Sequence, residues 1–322
     1  MNRTRRLLST AAGLGLATRS SFAAPWAPDK PITFVVPFTA GSATDQLARA
    51  LGQAIAQATP YQVVVENRPG ANAFIGAQAV AHAPKDGHTL LIGTNTTHAA
   101  NQHLFKKLPY DPVRDFEPVA LLARGAQILI VGNQSPVRNV HELVELARAQ
   151  PGKLSFGSGS SSSRIAGELF KQMTGTFIVN IPYRSNPPAV TDLIGGQIDM
   201  MITDMATGLP QVRNGKVRAL GVSSLKRVAL APEIPTISEA GVTGYEMIFW
   251  FAAYAPGGTP APMVARLNEI VTAANRSATM ARFYADVGFE ALSGSPQTLA
   301  RFQADEAEKW GRIITKSGIE KE

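Results

Sequence analysis

Short apolar runs alternate along the chain with longer segments in which apolar residues recur every three or four positions. The runs predict β-strands at residues 32–38, 61–67, 89–94, 127–132, 154–159, 177–183, 199–204, 217–224 and 249–256. Their near-continuous hydrophobicity is typical of strands that are covered on both faces. The segments between the runs, and two or three more segments after Tyr254, predict amphipathic helices. Alternation of strand and helix over the whole length predicts an α/β protein with mostly parallel sheets.

The chain has 322 residues, which is the length of two domains, but no low-complexity linker divides it. Two domains without a linker are usually joined by several chain crossings, and such crossings form a hinge beside a cleft. We place the crossings near residues 123–128 and 221–226. The sequence thus predicts a discontinuous lobe I, made of residues 25–124 and 225–322, and a lobe II of residues 125–224.

Residues 1–24 have the form of an export signal, with Arg3, Arg5 and Arg6 before a short apolar stretch and small residues at the end. The pair Arg5-Arg6 is compatible with the twin-arginine route as well as with general export. The apolar stretch is about half as long as a membrane span requires, so we expect no anchor. The chain also has no cysteine for a disulfide or a lipid. These features predict a periplasmic protein without a membrane anchor.

The formal net charge of +7 comes from 31 basic and 24 acidic residues. Four of the arginines belong to the predicted signal, so its removal leaves 27 against 24, or about +3. No run of clustered lysine or arginine provides the stripe that a nucleic-acid backbone requires. The charge is therefore a mild bias towards small anions, and we expect no nucleic-acid partner.

The first predicted strand leads through a Gly- and hydroxyl-rich turn directly into a helix. Gly41 permits a tight bend, and Ser42 with Asp45 has the spacing of a capping box. The helix then begins at the carboxyl end of a strand, where its first amides can bind an anion without a charged side chain. The candidate ligand-binding residues of this turn are Thr39, Ala40, Gly41, Ser42 and Asp45. A plain capped turn is the alternative interpretation.

The same design recurs in the segment LSFGSGSSSSRIAGELF, in the other predicted lobe. Two helix N-termini that face each other across a cleft suit a ligand with a carboxylate at each end. A cation in the first turn of a helix is disfavoured by the helix dipole unless an anion compensates it. The candidates here are Ser158, Ser160, Ser161 and Arg164, although the arginine can equally face solvent.

Ligands of open α/β sheets bind beyond the carboxyl ends of the strands, so polar residues at other strand ends are also candidates. These residues are Thr94, Asn95, Thr97, His98, Tyr183, Arg184 and Asp204. Asp204 can instead cap the helix that follows it. The aromatic residues Phe38, Phe249 and Trp250 can wall the pocket or belong to the core, and of these we include Phe38 and Trp250 as candidates.

Catalytic and metal-binding motifs do not support an enzyme. The serine cluster lacks the G-x-S-x-G pattern, His141-Glu142 is not followed by the second histidine of a zinc site, and Gly215-Lys216 lacks the spacing of a phosphate-binding loop. We therefore expect no catalytic residue, no metal and no cofactor. A periplasmic serine hydrolase that uses Ser160 or a neighbouring serine stays as the alternative.

Several segments resemble the Bug receptors, the periplasmic solute-binding proteins of tripartite tricarboxylate transporters. They include PFTAGSATDQLAR, the ENRPGAN segment, SSSRIAGELFKQM, PEIPTISEAGVTGYE and YAPGGTPAPMVARLN, and the resemblance runs from about Lys30 onwards. It implies a monomeric, two-lobed binding protein of type II, of the Venus flytrap kind. It also implies a mono- or dicarboxylate ligand, with or without a ring. The implied anchoring residues are Thr39, Ala40, Gly41, Ser42 and Asp45, with Ser158, Ser160, Ser161 and Arg164 opposite them.

The resemblance also implies the membrane components of the transporter as partners, while a ligand-sensing partner of a sensor kinase is a further alternative. This chain departs from the family pattern at three places. Ser42 stands where a second glycine is usual, Tyr183-Arg184-Ser185 where Tyr-Lys-Gly is common, and Thr203-Asp204-Met205 where Phe-Asp-Asn is common. All three places border the predicted pocket, so the better-known ligands of the family are not assumed.

Overall fold

A computed structural model describes residues 26–322, and the predicted export signal at residues 1–24 lies outside the described residues. The α-helices are α1 (Ala43–Ala58), α2 (Phe74–Ala81), α3 (Asn101–Leu104), α4 (Val140–Ala149), α5 (Ser161–Thr174), α6 (Asn186–Ile194), α7 (Met205–Arg213), α8 (Ala261–Asn275), α9 (Ala278–Val287) and α10 (Pro296–Lys316). A 3₁₀ turn at Ala71–Ala73 precedes α2, and a π-helical turn at Thr96–Ala100 precedes α3.

The strands are β1 (Ile32–Val36), β2 (Val63–Asn67), β3 (Thr89–Thr94), β4 (Phe116–Gly132), β5 (Ser155–Ser158), β6 (Val179–Pro182), β7 (Met200–Asp204), β8 (Val217–Val222), β9 (Ile248–Pro256) and β10 (Phe289–Ala291). They form one sheet in the order β2-β1-β3-β9-β4-β7-β5-β6, and β8 and β10 both pair with β4. The pairs within β2-β1-β3 and β7-β5-β6 are parallel, and the pairs made by β4 and β9 are antiparallel.

The long strand β4 belongs to both halves of the molecule. Residues 116–126 pair with β9, whereas residues 127–131 pair with β7 and residues 128–132 pair with β8. We call the group of β1, β2, β3, β9, β10 and residues 116–126 of β4 lobe I, and the group of β5–β8 with residues 127–132 of β4 lobe II. Apolar residues of these strands pack against the helices and form the hydrophobic core.

The segment from residue 224 to residue 247 packs on lobe II before the chain returns to lobe I in β9. Thr236 makes a parallel bridge to Val222 of β8, and the hydroxyl of Tyr245 donates to the carbonyl of Ala166 in α5 at 2.8 Å. Ala231 and Ile234 lie in the same apolar cluster as Val222. The hydrogen bond from the amide of Met247 to the carbonyl of Ser223 brings the two ends of this segment together.

The fold class predicted from the sequence is confirmed, and each predicted strand is present. Three features differ from the predictions. The fourth strand begins at Phe116 rather than at residue 127, and β10 was not predicted. The sheet is mixed rather than mostly parallel, because β4 and β9 run against their neighbours. No helix among residues 26–322 is both long enough and apolar enough to cross a bilayer.

Candidate functional site

A cavity of about 40 Å³ lies between the lobes, at the carboxyl ends of the parallel strands. Its walls come from the turns after β1, β3, β5, β6 and β7, from the middle of β4 and from one face of β9. The lining residues are Phe38, Ser42, Ala43, Thr44, Thr94, Asn95, Thr96, Gln127, Gly159, Ser160, Ser162, Ser185, Asn186, Asp204, Phe249 and Phe251.

Helix α1 presents its first amides to the cavity. Ser42 is the N-cap residue, and its Oγ accepts a hydrogen bond from the amide of Asp45 at 3.3 Å. The Asp45 carboxylate accepts from the amide of Gly41 at 2.9 Å, so the reciprocal bond of the predicted capping box is displaced by one residue. The first amides of a helix have no partner inside the helix. The amides of Ala43 and Thr44 therefore have no acceptor inside the helix, and both residues line the cavity.

Asp45 stabilises this turn without lining the cavity. Its carboxylate also accepts hydrogen bonds from the Arg49 guanidinium at 3.0 Å and from the Asn67 amide at 2.9 Å. Burial would raise the pKa of Asp45, but the hydrogen bonds from Arg49, Gly41 and Asn67 outweigh it and hold the pKa below its ordinary value. The side chain is 3% exposed and does not line the cavity. Its structural role is to fix the turn that carries Ser42.

Helix α5 repeats the arrangement from lobe II. Ser160 is the N-cap residue and forms a capping box with Ser163, in which each hydroxyl bonds the other residue's amide. Ser160 and Ser162 line the cavity, and the amides of Ser161 and Ser162 have no partner inside the helix. Ser158 and Ser161 do not line the cavity. The Ser158 hydroxyl donates to the Asn180 side chain at 2.7 Å instead.

Helices α6 and α7 also begin at the cavity. Ser185 is the N-cap residue of α6, and Asn186 is its first residue. Asp204 is the N-cap residue of α7 and accepts from the amide of Thr207 at 2.8 Å, which confirms the capping role that the sequence allowed for it. The positive ends of four helices, α1, α5, α6 and α7, therefore meet around one cavity.

The electrostatic character of the cavity follows from these helix ends. Among residues 26–322, no lysine or arginine lines it, and Asp204 is the single charged residue that does. Each helix N-terminus carries roughly half a positive charge, so the walls favour an anion. The cavity is suited to a small anion that is held by backbone amides and neutral side chains rather than by an ion pair.

Several buried side chains in these walls have polar atoms that make no hydrogen bond to any residue between 26 and 322. They are both amide atoms of Asn95, the hydroxyls of Thr96 and Ser185, Oε1 of Gln127 and Oδ1 of Asn186. Each of these residues is at most 8% exposed. Buried polar groups are almost always hydrogen-bonded, and each exception calls for an explanation. Their concentration around one cavity marks it as a binding site for a polar ligand.

Two polar contacts join the lobes beside the cavity. The Asn72 side chain of lobe I donates to the Ser161 hydroxyl of α5 at 3.0 Å, and that hydroxyl donates to Asn101 Oδ1 at 2.8 Å. Asn72 lies in a strained segment, in which residues 71–73 have φ values of 45°, 51° and 72°. One turn further along α5, Arg164 forms an ion pair with Glu322 at 2.7 Å. Both Ser161 and Arg164 thus contact lobe I rather than the cavity.

The remaining candidates from the sequence also lie outside the cavity walls. The Tyr183 hydroxyl donates to Asp192 at 2.8 Å, Arg184 is exposed, and Thr97 bonds within its own turn. His98 is fully buried and stacks on Tyr254. Burial lowers its pKa to about 3, so the imidazole is neutral and provides no cation. Thr39, Ala40 and Gly41 precede the lining part of the turn. Their roles in ligand binding stay predictions.

Alternation of side chains along β9 decides which of its aromatic residues face the cavity. Successive side chains of a strand point to opposite faces. Phe249 and Phe251 of β9 face the cavity, whereas Trp250 between them is 1% exposed and packs edge-on against Phe302 of α10. Phe38 lines the cavity as expected.

Some lining residues were not among the candidates from the sequence. They are Ala43, Thr44, Thr96, Gln127, Gly159, Ser162, Ser185, Asn186, Phe249 and Phe251. Most of them are direct neighbours of a candidate on the same turn. Gln127 had a signal of its own, since it is a polar residue at the start of the apolar run QILIVG. That run was interpreted as a strand, and the position of its first residue between the lobes was not recognised.

The chain is similar to several known proteins. The model of the tripartite tricarboxylate transporter family receptor matches residues 44–319. The protein BugT of Bordetella pertussis is 32% identical over 325 residues, which covers 99% of each chain. A Rhodopseudomonas palustris protein solved with adipate superposes with a TM-score of 0.87 at 36% identity, covering 90% of this chain and 98% of the other. MatC of the same organism, solved with bound malate, gives 0.84 at 32% identity, covering 89% and 99%.

Proposed function

Because the chain belongs to the receptor family of tripartite tricarboxylate transporters, we propose that it captures a small organic carboxylate between its two lobes. It works in the periplasm and delivers this ligand to the membrane components of such a transporter. Two structural relatives hold adipate and malate, which are small carboxylates. The receptor acts as a monomer.

The observation that carries the proposal is the convergence of four helix N-termini on a cavity without a lysine or arginine among residues 26–322. Such a site binds an anion by peptide amides, which is the chemistry expected for a carboxylate. The buried side chains of Asn95, Thr96 and Ser185 add neutral hydrogen-bonding groups.

The ligand is enclosed by closure of the lobes. In the proposed division into lobes, the chain first crosses in β4 at about Ala126, which lies within the range of 123–128 that the sequence predicts. The contacts of Thr236 and Tyr245 with lobe II favour a second crossing at Met247–Ile248 instead of near residue 226. Since α1 comes from lobe I and α5, α6 and α7 come from lobe II, the closed form brings all four helix ends to the ligand.

Binding without chemical conversion is the proposed activity. The Ser160 hydroxyl bonds the hydroxyls of Ser162 and Ser163 and caps α5. A nucleophilic serine needs an adjacent general base. The hydrogen bonds of the Ser160 hydroxyl within residues 26–322 go to Ser162 and Ser163, which supports a receptor over a hydrolase.

The test compares carboxylate binding in wild type and in Ala43→Pro. Proline is well tolerated at the first position of a helix, and Ser42 before it already has the required extended conformation with ψ of 158°. The substitution removes one amide that lines the cavity while the helix persists. Ala278→Pro is the matched control, because Ala278 is the exposed first residue of α9 after Ser277, whose ψ is 160°.

We expect a carboxylate from a small library to raise the thermal unfolding temperature of wild type and of Ala278→Pro, with a gain of about 2.7 kcal/mol at a hundredfold excess over Kd. Calorimetric titration of Ala43→Pro should give at least a tenfold higher Kd. Equal affinity in Ala43→Pro would contradict binding by the amides of α1. Hydrolysis of esters that disappears in Ser160→Ala would favour an enzyme instead, and uptake that persists without the gene product would favour a sensory role.

A further inference from the structure

The lobe II wall of the cavity offers hydrogen-bond acceptors as well as donors. Three of its residues, Gln127, Asn186 and Asp204, form what we call the acceptor subsite. Asp204 is 5% exposed, and its carboxylate accepts from the Thr207 amide and from Asn186 Nδ2, each at 2.8 Å. Because all of its hydrogen-bond partners donate, it acts as an acceptor.

The orientation of Asn186 follows from Asp204. A carboxylate accepts hydrogen bonds and does not donate them, so the Asn186 amide must turn its Nδ2 towards Asp204. This leaves Oδ1, which is an acceptor, on the other side. Asn186 lines the cavity and is 8% exposed, and its Oδ1 has no partner within the described part of the chain. Asp204 therefore fixes an unused acceptor at the cavity wall.

Gln127 lies directly beside this pair. It is the cross-strand partner of Asp204 in the β4–β7 ladder and is 1% exposed. Its backbone is held on both sides by Ser223, which accepts from its amide at 2.7 Å and donates to its carbonyl at 2.8 Å. Its Oε1 makes no hydrogen bond to residues 26–322. The subsite thus combines a second amide group with the fixed acceptor of Asn186.

A ligand built from carboxylates and methylene groups has acceptors but no donors. It can bind the amides of α1 and α5, but it would leave Asn186 Oδ1 and Asp204 facing apolar or acceptor atoms, which is costly. We infer that the ligand is a hydroxycarboxylate, whose carboxylate binds the helix N-termini and whose hydroxyl donates to the acceptor subsite. This inference rests on the proposed function and narrows its ligand class.

A hydroxyl fits the subsite better than an ammonium group does. Asn186 and Asp204 stand at the N-termini of α6 and α7, where the helix dipoles disfavour a positive charge. A neutral hydroxyl donates one hydrogen bond without this cost. Its oxygen can also accept a bond from a neighbouring group such as the Ser185 hydroxyl, which lines the same wall and has no partner among residues 26–322.

The experiment is calorimetric titration of the exported form of the protein with matched pairs of acids that differ by one hydroxyl. The pairs are glycolate and acetate, lactate and propionate, malate and succinate, 2-hydroxyglutarate and glutarate, and 2-hydroxyadipate and adipate, with the 2-amino acids as a third arm. For the chain length that binds best, we expect the hydroxy acid to bind about 10- to 100-fold more tightly than the plain acid. This comparison uses the wild-type protein alone, so it does not depend on whether any variant folds.

Asn186→Leu tests whether the acceptor subsite creates the ratio. This variant keeps a side chain of similar size without the acceptor, and the preference for the hydroxy acid should fall below about threefold. Gln127→Met is a second variant in case loss of the Asn186–Asp204 bond prevents folding, and it should also reduce the preference. Asn133→Leu, at an exposed asparagine outside the cavity, should retain it.

The possible outcomes distinguish the hydroxycarboxylate inference from the proposed receptor function. Plain acids that bind as tightly as hydroxy acids, amino acids that bind most tightly, or an unchanged preference in Asn186→Leu and Gln127→Met would overturn the inference and leave the receptor function standing. Binding of none of these acids in wild type would overturn the proposed carboxylate function itself.

Discussion

The hydrogen bonds of Ser161 predict a link between ligand affinity and a contact outside the cavity. Ser161→Ala removes a fully buried hydroxyl that accepts from Asn72 at 3.0 Å and donates to Asn101 at 2.8 Å. Both partners belong to lobe I, whereas Ser161 begins α5 of lobe II. If the lobes separate in the absence of ligand, these bonds exist in the closed form and stabilise it relative to the open form.

The magnitude follows from the groups that lose a partner. The Asn72 and Asn101 amides still bond each other at 3.1 Å after the substitution, so neither is left entirely without a partner. A net loss of about 1–2 kcal/mol is therefore expected, rather than the full cost of two unsatisfied amides. When it falls on the closed form alone, this loss raises Kd by about 5- to 30-fold.

The assay is calorimetric titration together with stopped-flow measurement of the dissociation rate. The increase in Kd should come mainly from faster dissociation, because the closed form is the one that retains the ligand. Ser158→Ala is the matched control. Its buried hydroxyl donates to Asn180 within the same lobe, so this variant should lower the unfolding temperature and leave Kd within about twofold.

A Ser161→Ala variant that lowers the unfolding free energy of the ligand-free protein by about 1–2 kcal/mol, with Kd and the dissociation rate unchanged, would contradict this link. The contact would then be equally present with and without ligand, and the strained turn at residues 71–73 would serve the stability of the fold alone.

Three further predictions concern stability. Asp45→Asn should cost about 1–3 kcal/mol at pH 7. The folded pKa of Asp45 lies below its ordinary 3.8, so its contribution is present above about pH 4 and lost as the pH falls through the folded pKa, and urea unfolding should show the difference from wild type shrinking towards pH 3. The pKa of His98 falls from 6.5 to about 3 on folding, so protonation favours the unfolded chain. Wild type should therefore lose about 2 kcal/mol more than His98→Phe between pH 7.5 and pH 5. Gly41→Ala should cost about 1 kcal/mol in thermal unfolding, from its φ of +80° and not from a clash, because an added Cβ would meet no atom within 4 Å.

The strands and helix starts could be predicted because their signals are local. Apolar runs located the strands, and the serine-containing turns at Ser42 and Ser160 located the starts of α1 and α5. The missing part of β4 had a weaker signal, because its apolar run at residues 119–123 is flanked by Pro118 and Arg124. These positions form a strand because they pair with β9 over its whole length. Pairing across the sequence decided this element, and periodicity does not contain that information.

For the site, the sequence predicted which turns border the cavity but not which side chains face it. The rule that ligands bind at the carboxyl ends of strands identified the turns that contain Ser42, Asn95, Ser160 and Asp204. The direction of Arg164 could not be predicted, because its partner Glu322 lies more than 150 residues away in the sequence. Which of Phe249 and Trp250 faces the cavity likewise depends on the register of β9 in the sheet. No local sequence pattern fixes that register.

The absence of lysine and arginine from the cavity walls among residues 26–322 has a consequence for how such a receptor releases its ligand. An arginine on one lobe would hold a carboxylate by a bidentate ion pair even after the lobes separate. Peptide amides are individually weaker, and here they are divided between α1 of lobe I and α5, α6 and α7 of lobe II. In the proposed receptor, opening would remove part of the donor set and admit water to the rest, so affinity would fall steeply with the separation of the lobes. A partner that favours the open form then releases the ligand without any chemical step.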